Sequence, residues 1–343
     1  MIRNKEILSD LTIVIFSRNR DFELKKSIKY YESIGVNLVV LHRSSDRLEI
    51  DLTSKFMTYV FTSKSYAQRC LEIKNLLTTK YVVLASDDER YLPGALRMMI
   101  SELENNPEFT SIGGQALALK KYGFRNSATW NFRDLKSYQN DSNRYSIRLA
   151  DHFGGSVKGV RIGSLYRIYR SKEFCTLMEI FGCLDNISTP YIFECTAEIF
   201  AIWSGKFKYI NTLFWIRNWN VPMITTKDWD RKLTFNRWVS DDLYREEVLE
   251  WKNLLVMKLD IPHSILDSTV QLLCKNRFSL DNRIDLEVMK PNLRINDYCK
   301  FLFRFFFLNA SLPKTVRATL LELNNNNISV NLGDLDNAFK SMR

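Results

Sequence analysis

Several absences narrow the reading of this chain first. Its six cysteines never form a C-x-x-C pair, so a zinc site of the usual spacing is not expected. The first residues, Met1-Ile2-Arg3-Asn4-Lys5-Glu6, lack the apolar centre of a secretion signal. No stretch reaches the ~18 apolar residues that a membrane span needs. These absences together set the expectation of a reduced, cytoplasmic protein whose cysteines fill space. No helix-turn-helix, zinc-finger or RNP-like pattern stands out, so no nucleic-acid partner is expected despite a net charge of +10. There is no glycine in Ser17-Arg18-Asn19-Arg20, the loop after the first apolar run. A Rossmann G-x-G-x-x-G and a P-loop both need glycines there, and both are excluded. There is also no internal repeat.

What is present is a globular composition, 45% apolar and 26% charged, with enough length for about two domains. The excess of basic residues points to a phosphate-bearing partner or an anionic membrane surface. Residues 11–16, 37–41, 56–61 and 81–85 read as short β-rich strands. Helical patterns separate them at 21–35 and 65–79, and a further helix opens at Pro93. Strands alternating with helices at this spacing predict a parallel sheet with right-handed crossovers. A strand from Ser111 to Leu119 follows, then a polar, loop-rich insertion over about 122–148. Residues 165–169 read as a strand, 172–181 as a helix, and Pro190 leads into a helix ending at Ser204-Gly205. Two short strands are expected at 207–210 and 213–216. Beyond about residue 225 the chain turns charged and helix-periodic, which places a domain boundary there.

The most informative stretch is Tyr81-Val82-Val83-Leu84-Ala85-Ser86-Asp87-Asp88-Glu89. An apolar run of buried-strand type ends in three acids, with Pro93-Gly94 close behind. In open α/β sheets ligands bind outside such strand ends. Adjacent carboxylates repel one another, and a divalent cation relieves that repulsion. The alternative is a solvated acidic turn ahead of a helix.

Taken in order, these pieces resemble the family 2-type glycosyltransferases of GT-A fold, nucleotide-diphospho-sugar transferases that are mostly bacterial. The resemblance covers roughly residues 10–220. It rests on Ile13-Val14-Ile15-Phe16-Ser17-Arg18-Asn19-Arg20, on Tyr66-Ala67-Gln68-Arg69-Cys70, on the 84–96 stretch ending Leu92-Pro93-Gly94-Ala95-Leu96, and on the helix from Phe193 to Gly205. The implied fold is α/β: a GT-A-type mixed, mainly parallel sheet flanked by helices over 1–225, with a mostly helical C-terminal domain over 226–343. Ser17, Arg18, Asn19, Arg20, Asp46, Arg69, Asp87, Arg217 and Trp219 would bind the nucleotide sugar. Asp88, helped by Asp87, would hold Mg or Mn, although Ser86 stands where the family has its first Asp. Glu194 falls on the family's catalytic base, and Glu198 lies one helical turn further on. The implied reaction is inverting transfer of a sugar to an acceptor hydroxyl in surface polysaccharide or glycan synthesis. The acceptor would be a glycan or lipid-linked.

Residues 298–308, aromatic and carrying Lys300 and Arg304, could touch the inner face of the cell membrane, form a helical core, or dimerise. Two other classes stay open. A sugar-nucleotidyltransferase would share the sheet and metal chemistry. A non-catalytic glycan- or partner-binding protein on a degenerate GT-A fold would explain Ser86.

Overall fold

The structure is a computed structural model, and it describes residues 8–49, 56–122, 125–130, 138–140, 145, 148, 163–185, 187–218, 233–281 and 330–342. Its centre is a mixed ten-stranded sheet. The first half is built from β1 (Leu11–Arg18), β2 (Asn37–Arg43), β3 (Met57–Phe61) and β4 (Tyr81–Ser86). These pair in parallel in the order β3-β2-β1-β4. The helices between them are α1 (Asp21–Ile34) and α2 (Tyr66–Leu76). This half agrees with the alternation seen in the sequence. β1, β2 and β4 are nearly continuous apolar runs because both of their faces are covered.

The second half is less regular. It contains β5 (Glu89–Tyr91), β6 (Phe109–Tyr122), β7 (Arg125–Trp130), β8 (Tyr138–Asn140), β9 (Ile168–Arg170) and β10 (Lys206–Asn218). The sheet continues from β4 as β9-β6-β10-β5, with β7 on β6 and β8 on β10 off that path. β9 runs antiparallel to β4 and β6, and β6 runs parallel to β10. The two short strands expected at 207–210 and 213–216 are one strand, β10. Register shifts at Tyr209/Leu213 and Leu213/Trp215 break its alternation, which explains why it read as two pieces. Part of the insertion expected to be loop-rich forms β7 and β8.

Helix boundaries follow local chemistry. Ser65 and Gln68 form a reciprocal capping box at the start of α2. Gly35 ends α1 in the left-handed region, φ 73°, and its N–H donates to the carbonyls of Tyr31 and Glu32. In α1, Leu24, Ile28 and Tyr31 recur at helical spacing, and all three are buried.

Alternate strand residues feed two cores. Ile13, Ile15, Val83 and Ala85 pack under α1 and under α3 (Pro93–Asn105). Val14, Val39, Val82 and Leu84 pack under α2, α4 (Ser171–Gly182) and α5 (Tyr191–Trp203). Each of these buried Val, Leu and Ile side chains contributes roughly 1.5–3 kcal/mol. The described helices after residue 225 join these same cores. Trp238 of α6 (Phe235–Ser240), Trp251 of α7 (Arg245–Leu259) and Leu266 of α8 (His263–Asp281) lie in the second. Leu335, Ala338, Phe339 and Met342 of α9 (Leu332–Met342) lie in the first. No described helix is long and apolar enough to cross a membrane. The aromatic 298–308 segment lies outside the described residues.

Candidate active site

A cavity of about 720 Å³ opens where β1, β2, β4 and β10 end. All four strands run the same way, so the cavity sits at their carboxyl ends, the usual ligand position in such sheets. Its size suits a small organic ligand. Ser17 and Arg18 reach it from β1, Arg43 from β2, and Ser86 and Asp87 from the end of β4. Arg69 comes from α2, Glu194 from α5 and Arg217 from the end of β10.

The acidic turn lies beside the cavity, and of its three acids only Asp87 lines it, while Asp88 and Glu89 do not. Asp87 and Asp88 form the turn between β4 and β5, but Glu89 enters the sheet as the first residue of β5. Every carbonyl of the three is engaged. That of Asp87 accepts from the Ser27 hydroxyl and from Arg90. That of Asp88 accepts from the Asn218 N–H, and that of Glu89 from the Tyr31 hydroxyl and Arg90. Arg90 is itself fully buried, and its Nε donates to the Ser341 hydroxyl on α9. The C-terminal helix therefore braces the acidic turn from behind.

The carboxylates are partnered as well. The Asp87 Oδ2 accepts from the Ser17 hydroxyl at 2.7 Å. Its Oδ1 lies 2.8 Å from Arg20 Nη1, while Arg20 Nη2 lies 3.2 Å from Asp88 Oδ2. One guanidinium thus spans both aspartates. Burial pushes the Asp87 carboxyl up to about 7, against the pull of Arg20. Glu89 is fully buried, and its Oε2 accepts from the Ser86 N–H at 2.8 Å. Burial raises Glu89 to about 8, against the attraction of Arg217, whose Nε is 3.7 Å from Oε1. Burial alone would lower Arg217, but Tyr166, Glu89, Asp88 and Glu194 outweigh it and hold the guanidinium above its ordinary range.

The other residues expected from the sequence separate into groups. Ser17, Arg18, Arg20, Arg69, Asp87, Arg217 and Glu194 all line the cavity. Arg69 does so while tying down the strand ends. Its Nη1 donates to the carbonyls of Ser17 and Leu41, and its Nε to that of Ser65. Asn19 sits at the outer turn with φ 51°, its N–H donating to the Arg43 carbonyl, and it does not line the cavity. Asp46 is exposed away from the cavity and accepts from the Ser45 hydroxyl. Trp219 lies outside the described residues.

Glu198 corrects the expectation that it shares a face with Glu194. Its carboxylate turns away from the cavity into the core, 1% exposed. It accepts from the N–H groups of Gly163 and Ser164 and from the Ser164 hydroxyl. It therefore caps the short 3-10 turn Ser164–Tyr166, whose Tyr166 does line the cavity. Residues four apart are neighbours along one helix face, but the cavity meets only the first turn of α5.

Sequence reasoning missed Arg43, Tyr166 and Asp185, which also line the cavity. Arg43 was legible in principle, standing at the end of β2 beside Arg18 on the parallel neighbour. Tyr166, stacked on Trp215 at 4.8 Å, and the lone Asp185 carried no sequence signal.

The divalent metal implied at Asp88 and Asp87 can be tested against this geometry. Among the described residues no three His, Cys, Asp or Glu side chains converge to hold an ion. Both aspartates are bound by Arg20, and Glu89 Oε2 is spent on the Ser86 N–H. Two buried oxygens are left without a hydrogen bond or an ion pair at Arg20: Asp88 Oδ1, and Glu89 Oε1, which Arg217 Nε approaches at 3.7 Å. The described residues form no closed all-protein coordination shell; a divalent cation held here would take its further oxygens from a bound diphosphate and water.

No protein-family model matches the chain, and no curated protein matches it. The family 2 resemblance therefore rests on its own motifs. Among solved structures the chain is similar to that of S. aureus TarS, with a TM-score of 0.48 and 10% identity, covering 97% of this chain and 54% of that one. It is also similar to S. aureus TarS 1-349, with a TM-score of 0.44 and 8% identity, covering 97% and 90%. The chain spans about half the length of the first of these. The functional reading that follows is built on the cavity's own residues.

Proposed function

We propose that the chain is a glycosyltransferase that moves a sugar from a nucleotide-diphospho-sugar to an acceptor hydroxyl. The observation that carries this reading is that Arg18, Arg43, Arg217 and Glu194 line one cavity at the carboxyl end of the sheet. Guanidinium groups suit a diphosphate, and a carboxylate in the same cavity suits proton abstraction.

In this reading Glu194 accepts the proton of the acceptor hydroxyl. The hydroxyl oxygen bonds to the anomeric carbon as the bond from that carbon to the diphosphate breaks. The electron pair leaves with the diphosphate oxygen. One base opposite the leaving group gives inversion at the anomeric carbon. Ser17 and Arg69 hold the floor: Ser17 fixes the Asp87 carboxylate, and Arg69 fixes the ends of β1 and β2. The capped turn at Ser164–Tyr166 sets the Tyr166 ring in the wall. Such fixed walls orient donor and acceptor before reaction. The acceptor class in this reading is a glycan, free or lipid-linked.

A thermal-shift screen with UDP-, GDP- and dTDP-linked sugars tests this. Stabilisation by at least one of them, with release of the nucleoside diphosphate, supports the reading. Stabilisation by none of them contradicts it.

A further inference from the structure

We propose that Glu247, on α7, is a positioning residue of the transfer reaction: through Ser188 it fixes the rim of the cavity and the start of α5, which carries Glu194. This rests on the reading of Glu194 as the group that accepts the proton of the acceptor hydroxyl.

The segment between α4 and α5 contributes a large share of the cavity's lining. Leu184, Asp185, Ile187, Ser188 and Pro190 all line it, and Glu194 follows in the first turn of α5. Yet α5 has no side-chain cap of its own. Its N-cap position is Pro190, which makes no side-chain hydrogen bond. Ser and Thr are the usual caps, but the hydroxyls of Ser188 and Thr189 are used elsewhere. Ser188 Oγ donates to Glu247 Oε1 at 2.6 Å, and the Ser188 N–H donates to Glu247 Oε2 at 3.0 Å. Thr189 Oγ1 donates to the Leu233 carbonyl at 3.0 Å. The entry to α5 is therefore held by bonds to distant parts of the chain.

Glu247 is itself oriented. Its Oε2 also accepts from the indole N–H of Trp238 at 2.9 Å, and Trp238 is fully buried. One helical turn further along α7, the Trp251 indole N–H donates to Thr196 Oγ1 at 2.9 Å. Residues at this spacing share a helix face. α7 thus grips the chain at Ser188 and at Thr196, on either side of Glu194. Glu247 does not line the cavity, so it acts there through Ser188.

A base works only within hydrogen-bond reach of the proton it takes. A misplacement of about 1 Å can cost on the order of 10²-fold in rate. The arginines read as holding the donor stand apart from this clamp, at the ends of β1, β2 and β10. Loosening the clamp should therefore lower kcat and leave the KM for the donor nearly unchanged.

The test uses the full chain and the UDP-, GDP- or dTDP-linked sugar that stabilises it most, with water as the acceptor and release of the nucleoside diphosphate as the readout. Glu247→Ala is expected to lower kcat at least about tenfold, with the KM for the nucleotide sugar changed less than about threefold. Glu247→Gln keeps an oxygen for the two N–H groups, and its amide can donate to the Ser188 hydroxyl. It is expected to return kcat to within about threefold of the wild type, a recovery that loss of folded protein alone would not show. Circular dichroism and melting curves establish the folded fraction of each variant. Should Glu247→Ala not fold, Ser188→Ala cuts the same clamp at one bond and is read the same way, with an expected loss in kcat of about threefold or more. A folded variant with wild-type kcat, or one whose loss lies in the KM for the donor, overturns the proposal and leaves the donor reading intact. A wild-type chain that releases nucleoside diphosphate from none of these sugars overturns the transferase reading itself, and this proposal with it.

Discussion

Replacing Glu198 with alanine is expected to destabilise the protein strongly without removing its chemistry. The carboxylate accepts three hydrogen bonds, from Gly163 N–H at 2.9 Å, Ser164 N–H at 3.0 Å and Ser164 Oγ at 2.6 Å. Alanine leaves these donors unpaired in a site where Ser164 is fully buried. Breaking a buried charged network in this way costs about 3–5 kcal/mol. At about 2.1 cal/mol/K per residue, a chain of this length has an unfolding entropy of about 0.7 kcal/mol/K, so the melting temperature should fall by about 4–7 °C. Glu198→Gln keeps an acceptor for the two N–H groups and should recover much of that loss. The assay is scanning calorimetry, combined with turnover per folded molecule well below the melting temperature. If Glu198→Ala melts like the wild type while its turnover collapses, Glu198 is a reacting group and the reading of it as a cap is wrong.

Other expectations follow from the same geometry. Glu194→Gln should lower turnover by about 10²–10⁴-fold with little change in melting temperature; transfer kinetics at matched folded concentration would check it. Asp87 and Glu89 both titrate higher in the folded chain, at about 7 and about 8, than their ordinary values of 3.8 and 4.5. The stability this gives is fully present below the ordinary values and is lost as pH rises through the folded ones. Denaturant titrations should therefore show stability falling between about pH 4 and about pH 8, and Asp87→Asn should flatten that slope. Asp334→Ala should cost about 1 kcal/mol and loosen α9, because its Oδ2 accepts from the Gly94 N–H at 2.6 Å and caps α3, whose own N-cap residue, Leu92, cannot. Chemical denaturation and exchange of the α9 amides would report it.

These residues also show what could be read from the sequence. The parallel half of the sheet was legible because β1, β2 and β4 are short apolar runs, buried on both faces and separated by amphipathic helices. The place of Ser17, Arg18, Arg20, Arg69, Asp87, Glu194 and Arg217 in one cavity follows from that topology, since each stands at a strand end or helix start. What could not be read depends on long-range packing. Glu89 looked like a third solvated acid, yet its place in β5 is set by pairing with Arg217, far along the chain. The bridge from Arg20 to Asp87 and Asp88 joins two loops that local pattern cannot relate. Glu198 has the right spacing from Glu194 for a shared face, but the direction of its carboxylate is decided by the Gly163–Ser164 donors. The helix α9 was expected from its periodicity, but its docking beside Arg90 and Gly94 was not legible.

The central claim is that a nucleoside diphosphate occupies the cavity between Arg18, Arg217 and Glu194. A crystal structure of the chain grown with the nucleotide that stabilises it most tests this directly. The account predicts the diphosphate within hydrogen-bond distance of Arg18 or Arg217, with Glu194 facing the sugar position beyond it. A nucleotide bound elsewhere on the protein, with this cavity left to solvent, would contradict it.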